Sequence, residues 1–334
     1  MLRCAILDDY QDAAKQFGDW SQLGDEVAIT TFQRHLGDPD QLAEALSDFQ
    51  VIVAMRERTR FDRGLLERLD RLSLLVTTGL KNAAIDVSAA NDLGITVCGT
   101  LGDHNSTVEL TWALILSAAR NIVAENNSVR RGGWQVSVGR SLRGRRLGVV
   151  GLGNIGRKVA RIGIAFGMEV SAWSPNITEA RCDEIGAAMA HSLHDLTANS
   201  DILTIHLALS ETTSQIITAD HLRRLPRHAL LINTARAYLI EEQALMKALH
   251  NRWFAGAALD VFHDEPLPLD HPLRRMEHVL ITPHIGYVAD KGYRLYFEGA
   301  IEAIRAWRAG APLNVIGKNI APRASGGTNK RHPT

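Results

Sequence analysis

The stretch Arg146-Leu-Gly-Val-Val150, Gly151-Leu-Gly153-Asn-Ile-Gly156, Arg157-Lys-Val-Ala-Arg-Ile162 decides the fold. Its first block is a short apolar run that reads as a buried strand, its last block reads as the start of a helix, and three glycines join them. Glycines in G-x-G-x-x-G spacing are common, and a tight strand-to-helix turn with no ligand would also use them. The strand before and the helix after are the context that gives the motif meaning. In that context Gly151 permits the tight turn, Gly153 lets backbone approach a pyrophosphate, and Gly156 allows the helix to lie close on the strand. Asn154 and Ile155 complete the turn, whose helix N-terminus offers amide donors to an anion.

The next strand ends at Trp173-Ser174-Pro175-Asn176, where a dinucleotide-binding unit commonly carries an acid for the ribose 2′-hydroxyl. Ser174 stands there instead and repels no phosphate, while no arginine follows until Arg181. The residues therefore lean toward NADP, or use of both NAD and NADP. Plain turn chemistry at Ser174-Pro175 is compatible with either.

Outward from this turn, apolar runs alternate with helical spacing in both halves of the chain, the pattern of parallel strands joined by crossover helices. Arg3–Leu7, Glu26–Phe32, Val51–Met55, Leu74–Thr77 and Thr96–Cys98 read as strands in the first half. Arg146–Val150, Met168–Trp173, Ile202–His206, Ala229–Asn233, Gly256–Val261 and Val279–Thr282 do so in the second. Two doubly wound parallel sheets in an α/β chain are the simplest account. Pro39–Ser47, Asp62–Leu69, Thr107–Ala124 and Arg294–Arg308 read as helices. The third has apolar residues on too many faces to lie on water and should be buried between domains or subunits. The polar stretch Ala321–Thr334 has no periodicity and reads as part of a disordered tail.

Composition narrows the function. The 334 residues hold 37 Lys and Arg against 37 Asp and Glu, so no net field exists to hold nucleic acid or an anionic membrane. The densest basic run, Arg140, Arg143, Arg145 and Arg146, leads straight into a strand and reads as a solvated turn. Cys4, Cys98 and Cys182 are too scattered for a disulfide framework or a metal site, and a reducing, cytoplasmic setting is expected. No run approaches the length of a membrane span.

Three further segments stand at carboxyl ends of predicted strands, where open α/β sheets bind ligands. They are Asn233-Thr234-Ala235-Arg236, Asp260-Val-Phe-His-Asp-Glu265-Pro266 and Thr282-Pro-His284-Ile-Gly286. Each alone has a dull reading as surface or turn chemistry. Following a glycine-rich nucleotide turn, they are specific together. From about the first strand to Leu313 the chain resembles the D-isomer-specific 2-hydroxyacid dehydrogenases, in the pattern of phosphoglycerate dehydrogenases and glyoxylate/hydroxypyruvate reductases.

The resemblance implies that Arg236 binds the substrate carboxylate and carbonyl oxygen, that His284 is the general acid/base, and that Glu265 pairs with it. Thr234, Ala235 and Asp260 become candidate cofactor contacts beside Gly151, Gly153, Asn154, Ile155, Gly156 and Ser174. It also implies a Rossmann NAD(P)-binding domain, about 101–285, inserted in a flavodoxin-like substrate domain, 1–100 and 286–315; composition leaves 316–334 as the disordered tail. A homodimer follows by the same likeness, with Thr107–Ala124 and its flanks as the contact.

The chemistry agrees with those roles. Hydride addition to a 2-oxo acid builds negative charge on the carbonyl oxygen, so the site needs a cation at the carboxylate and a proton donor at that oxygen. Arg236 offers a planar, permanently charged fork, and a carboxylate beside His284 favours the protonated imidazole. The family also places a glycine loop of the first domain at the substrate carboxylate. Here that loop is Thr77-Thr78-Gly79-Leu80-Lys81-Asn82, with the Gly79 and Leu80 N–H groups expected to face the anion.

Leu80-Lys81 replaces the commoner second glycine, and Ala235-Arg236-Ala237-Tyr238 departs from the Ser, Gly and Pro often found around the arginine. Both departures bear on substrate preference. Arg56 and Lys81 are candidates for a second acidic group on the substrate, against the plainer reading of neighbouring ion pairs and solvation. Trp134 and Tyr287 could line the pocket or a subunit contact, though packing is the default for aromatics. Two rivals share the scaffold: oxidation of formate or phosphite, and dinucleotide sensing of the kind used by related transcriptional co-repressors.

Overall fold

The computed structural model describes residues 1–318 of the 334-residue chain. Contacts divide it into two units, Met1–Asp103 with the residues from Ala289 on, and His104–Val288. Each is an all-parallel sheet with interleaved helices, an α/β fold.

In the first unit the strands are β1 (Leu2–Ile6), β2 (Val27–Thr31), β3 (Val51–Ala54), β4 (Leu74–Thr77) and β5 (Thr96–Gly99), in the order β2-β1-β3-β4-β5. That is the flavodoxin-like order, with its reversal between β1 and β3. Strands β3, β4 and β5 are buried at every residue, which is why they read as unbroken apolar runs. Asp38, Asp62 and Asp86 each cap a helix that returns the chain, their carboxylates accepting first-turn N–H groups. The long helix Asp290–Arg308 closes this unit by burying Tyr293, Phe297, Ile301, Ile304 and Trp307. Phe17 and Trp20 meet Tyr293 and Phe297 edge-on.

The second unit contains β6 (Arg146–Val150), β7 (Glu169–Trp173), β8 (Ala188–Met189), β9 (Ile202–Ile205), β10 (Leu230–Asn233), β11 (Gly256–Leu259) and β12 (Val279–Ile281). Their order is β12-β11-β10-β9-β6-β7-β8, the Rossmann order with one added strand, and it reverses between β6 and β9. Period-two alternation feeds two cores. Leu147, Val149, Leu230 and Ile232 join Trp112, Ile115 and Val159 on one face, while Val150, Leu231 and Leu203 join Leu222, Leu245 and Leu249 on the other.

Several expectations change. The expected helix Thr107–Ala124 is two helices, Asn105–Arg120 and Ile122–Arg130, because Asn121 adopts a left-handed conformation, φ 52°. The first of them buries Val108, Trp112, Leu114 and Ile115 inside its own unit, so its apolar faces are already covered there. The basic run is only partly a solvated turn: Arg146 opens β6 and its guanidinium meets the Asp201 carboxylate at 2.8 Å. The two-residue β8 was too short to leave a sequence signal. Ile316, counted in the expected tail, donates its N–H to Val97 O at 2.8 Å and packs on the first unit's core. Residues 319–334 of that tail lie outside the described residues. Among the described residues no helix is long and apolar enough to cross a membrane, and no three His, Cys, Asp or Glu side chains gather to hold a metal.

Candidate active site

The glycine turn lies where the second sheet reverses. Gly151 has φ +98° and donates its N–H to Trp173 O at 2.7 Å, and a Cβ there would stand 2.8 Å from the carbonyl carbon of His206. A Cβ on Gly156 would stand 1.9 Å from Gly151 O, so only glycine lets the helix Gly156–Ala165 sit this close to β6. At Gly153 a Cβ would meet nothing within 4 Å. Packing explains the first and third glycines, while the middle one has only open space above it. An open backbone at a helix N-terminus fits the pyrophosphate of a dinucleotide. Asn154 and Ile155 form the approach, and Arg157 Nη2 donates to Asn154 Oδ1 at 3.1 Å. Ser174 follows β7 and accepts the Ile177 N–H in a turn, leaving no carboxylate at that position.

Sequence reading passed over His206, at the end of β9 beside Gly151. Its Nε2 pairs with Thr204 Oγ1 at 2.9 Å, and burial pushes its pKa down to about 3, so the ring is neutral. Only its place at a strand end beside the turn could have pointed to it.

Strands β10, β11 and β12 are paired in register, Asn233 opposite Leu259 and Leu259 opposite Ile281. Arg236, Glu265 and His284, which follow these three strands, thereby leave the sheet by one edge. Asn233 shapes the first turn: Oδ1 accepts the Ala235 N–H and Nδ2 donates to Arg236 O, both at 3.0 Å. Thr234 is buried, its hydroxyl 2.8 Å from that of Thr111. In the second turn Phe262 N–H donates to Glu265 Oε1 at 2.9 Å. The other oxygen, Oε2, accepts from His284 Nδ1 at 2.6 Å, and the two side chains are only 15% and 21% exposed.

His284 holds a left-handed backbone, φ 53°, which a non-glycine residue adopts only under constraint. Asp260 supplies the constraint. Its Oδ1 accepts the Thr282 hydroxyl at 2.6 Å and the Ile285 N–H at 2.8 Å, and its Oδ2 accepts the Gly286 N–H at 2.8 Å. Burial pushes this carboxyl's pKa up, against those hydrogen bonds and the nearby His284. Expected as a cofactor contact, Asp260 is fully buried and spends three of its roughly four acceptor positions on the His284 turn. Tyr287, also buried, stands edge-on to His284 with ring centroids 5.9 Å apart.

In the first unit the loop after β4 is cross-braced. Arg56 donates its N–H to Thr78 Oγ1 at 2.8 Å and Nη1 to Thr78 O at 2.9 Å, while Asn82 Nδ2 donates to Arg56 O at 2.6 Å. The guanidinium lies over Gly79, where a Cβ would come within 1.9 Å of Nη1. The Gly79 N–H, expected to face the substrate's anionic group, donates to Thr100 Oγ1 at 3.1 Å. Leu80 is half exposed. Arg56 Nη2 lies 3.8 Å from Glu57 Oε2, so its charge is partly answered locally, and Lys81 is exposed.

Comparison with known proteins gives this geometry a family. Residues 112–286 match the model of the D-isomer specific 2-hydroxyacid dehydrogenase NAD binding domain. The chain is 38% identical over 272 residues to the glyoxylate reductase of Aeropyrum pernix, covering 78% of this chain and 81% of that protein. It is 36% identical over 250 residues to the D-3-phosphoglycerate dehydrogenase of Methanocaldococcus jannaschii, but spans only 47% of that longer protein. The solved phosphoglycerate oxidoreductase of Vibrio cholerae o395 superposes with a TM-score of 0.89 at 34% identity, over 93% of this chain and all of that one. A Rossmann sheet with an open glycine turn, a histidine–carboxylate pair at the sheet edge that also bears an arginine, and these likenesses together place the chain in the D-isomer specific 2-hydroxyacid dehydrogenase family of NAD-dependent oxidoreductases.

Proposed function

We propose that the chain reduces a small 2-oxo acid, of the glyoxylate or hydroxypyruvate kind, to the 2-hydroxy acid. The observation that carries this reading is the 2.6 Å contact between His284 Nδ1 and Glu265 Oε2 at the sheet edge that also bears Arg236. An ionised carboxylate only accepts, so the Nδ1 proton points to Glu265 and Nε2 is the nitrogen that hands a proton on. His284 gives that proton to the carbonyl oxygen as negative charge grows there, while Glu265 fixes the ring and steadies the imidazolium. Arg236 grips the carboxylate in a planar fork and draws charge from the carbonyl oxygen. When bound, the dinucleotide supplies the hydride. In the oxidative direction the neutral imidazole takes the hydroxyl proton.

Ser174 supports NADP, or both dinucleotides, since it cannot repel a 2′-phosphate as an acid would. Three buried cysteines with free thiols support a reducing, cytoplasmic setting. The test is loss of reduced-nicotinamide absorbance with NADH and NADPH in parallel, against glyoxylate, hydroxypyruvate, pyruvate and bulkier 2-oxo acids. Turnover of a small acid is expected. Dinucleotide binding with no turnover of any acid would overturn the reading.

A further inference from the structure

Tyr238, which has no part in the roles above, ties the Arg236 turn to the Glu265 turn. It stands two residues beyond Arg236 in the short 3-10 turn Ala237–Leu239 and is 48% exposed. Its hydroxyl nevertheless donates to His263 O at 3.2 Å, and its ring stands edge-on to the His263 imidazole, centroids 4.7 Å apart. His263 Nδ1 in turn lies 3.7 Å from Glu242 Oε1, and Glu242 opens the helix Glu242–His250 that follows the Arg236 turn. The connection therefore closes on itself. From the Arg236 turn it crosses through Tyr238 to the Glu265 turn, then returns through His263 to the helix behind Arg236.

We infer that Tyr238 and His263 form a strut that sets the spacing between the Arg236 guanidinium and the Glu265–His284 pair, which makes Tyr238 a positioning residue for 2-oxo acid binding. This rests on the function proposed above. A 2-oxo acid is small and rigid, so the cation at its carboxylate and the proton donor at its carbonyl oxygen must stand at one fixed separation. Small misplacement of either group weakens both contacts. Asn233 and Phe262 fix the shape of each turn internally. The tyrosine fixes one turn against the other, at a position where this sequence has Tyr after Arg236-Ala237.

The test compares Tyr238→Phe, which keeps the ring and loses the hydroxyl bond, with Tyr238→Leu, which loses both. KM and kcat are measured with a 2-oxo acid that the parent turns over, dinucleotide Kd by fluorescence, and amide exchange over 234–240 and 261–266. The phenylalanine variant should raise KM about two- to tenfold, the worth of one hydrogen bond, with kcat within about twofold. The leucine variant should raise KM further and speed exchange in 261–266, the turn that is not mutated, while dinucleotide Kd stays put. Unchanged KM in both variants, or exchange that rises only in 234–240, would overturn the strut. If the parent turns over no 2-oxo acid the proposed function fails on its own, and exchange in 261–266 still decides whether the strut exists.

Discussion

At the scale of single residues, the proposed mechanism divides the work of one turn between His284, for chemistry, and Asp260, for geometry. Replacing His284 by Ala removes the proton donor and nothing that holds the glycine turn, so turnover should fall by about a hundredfold or more. Dinucleotide affinity should stay within about twofold, and full activity in this variant would sink the assignment. Asp260→Asn keeps the shape but turns an NH2 toward one of three donors, Thr282 Oγ1, Ile285 N or Gly286 N. Leaving a buried N–H without an acceptor costs about 1–3 kcal/mol. A lowered melting temperature with a fall in kcat is expected, because the left-handed His284 loses its restraint; an unchanged kcat would show that Asp260 does not position it. The places of Arg236, Glu265 and His284 after successive strands were readable, because each follows a short apolar run. What Asp260 bonds to was not readable, since a side chain's direction depends on the neighbouring strand. Gly79 teaches the same lesson: its sequence suggested an anion-facing amide, and only the fold brings Thr100 beneath it.

Among elements, the glycine turn separates packing from binding. Gly156→Ala forces the helix Gly156–Ala165 off β6, because the new Cβ would meet backbone, and should cost both stability and dinucleotide affinity. Gly153→Ala meets nothing within 4 Å, so its melting temperature should match the parent's. Dinucleotide affinity should still fall at least about tenfold, because the methyl fills the approach to the amides. Equal affinity in the Gly153 variant, measured by titration calorimetry, would remove the pyrophosphate from this turn. A second element-scale link joins the starts of β6 and β9. Burial alone would push the Asp201 carboxyl up, but the Arg146 guanidinium and N–H and the His228 ring outweigh it and hold Asp201 well below the usual carboxylate range. A carboxyl depressed in the folded state adds stability above its unfolded pKa and loses it as pH falls through the folded one. Urea midpoints should therefore drop as pH falls below about 4, and Asp201→Asn should flatten that drop. A parallel drop in both proteins would show that the link contributes nothing. Buried strands showed themselves through unbroken apolar runs, whereas the break at Asn121 did not, because one left-handed residue leaves the apolar pattern on either side intact.

For the whole molecule, the exposed apolar surface is what bears on assembly. The helix Asn105–Arg120, the larger part of the stretch Thr107–Ala124 expected with its flanks at a subunit contact, spends its apolar residues inside its own unit. The chain beyond it does not. Residues 133–137 fold back along the helix Ile122–Arg130: Ser128 Oγ donates to Trp134 O at 2.9 Å, and Glu125 accepts the Val136 N–H at 3.2 Å and the Ser137 hydroxyl at 2.5 Å. The surface so built leaves Ile122, Val129, Trp134, Val136 and Val138 from 51% to 94% exposed. Isolated apolar residues on a surface need no explanation, but this many along one folded-back segment mark a surface meant for burial. We propose a second copy of the chain as its cover, since a symmetric pair buries the same patch on both partners at once. Light scattering should give about twice the chain mass, and Trp134→Asp with Val138→Asp should give a monomer that still binds dinucleotide through its intact glycine turn. A parent protein that runs as a monomer at tens of micromolar would refute the pairing and leave this segment as the surface for a different partner.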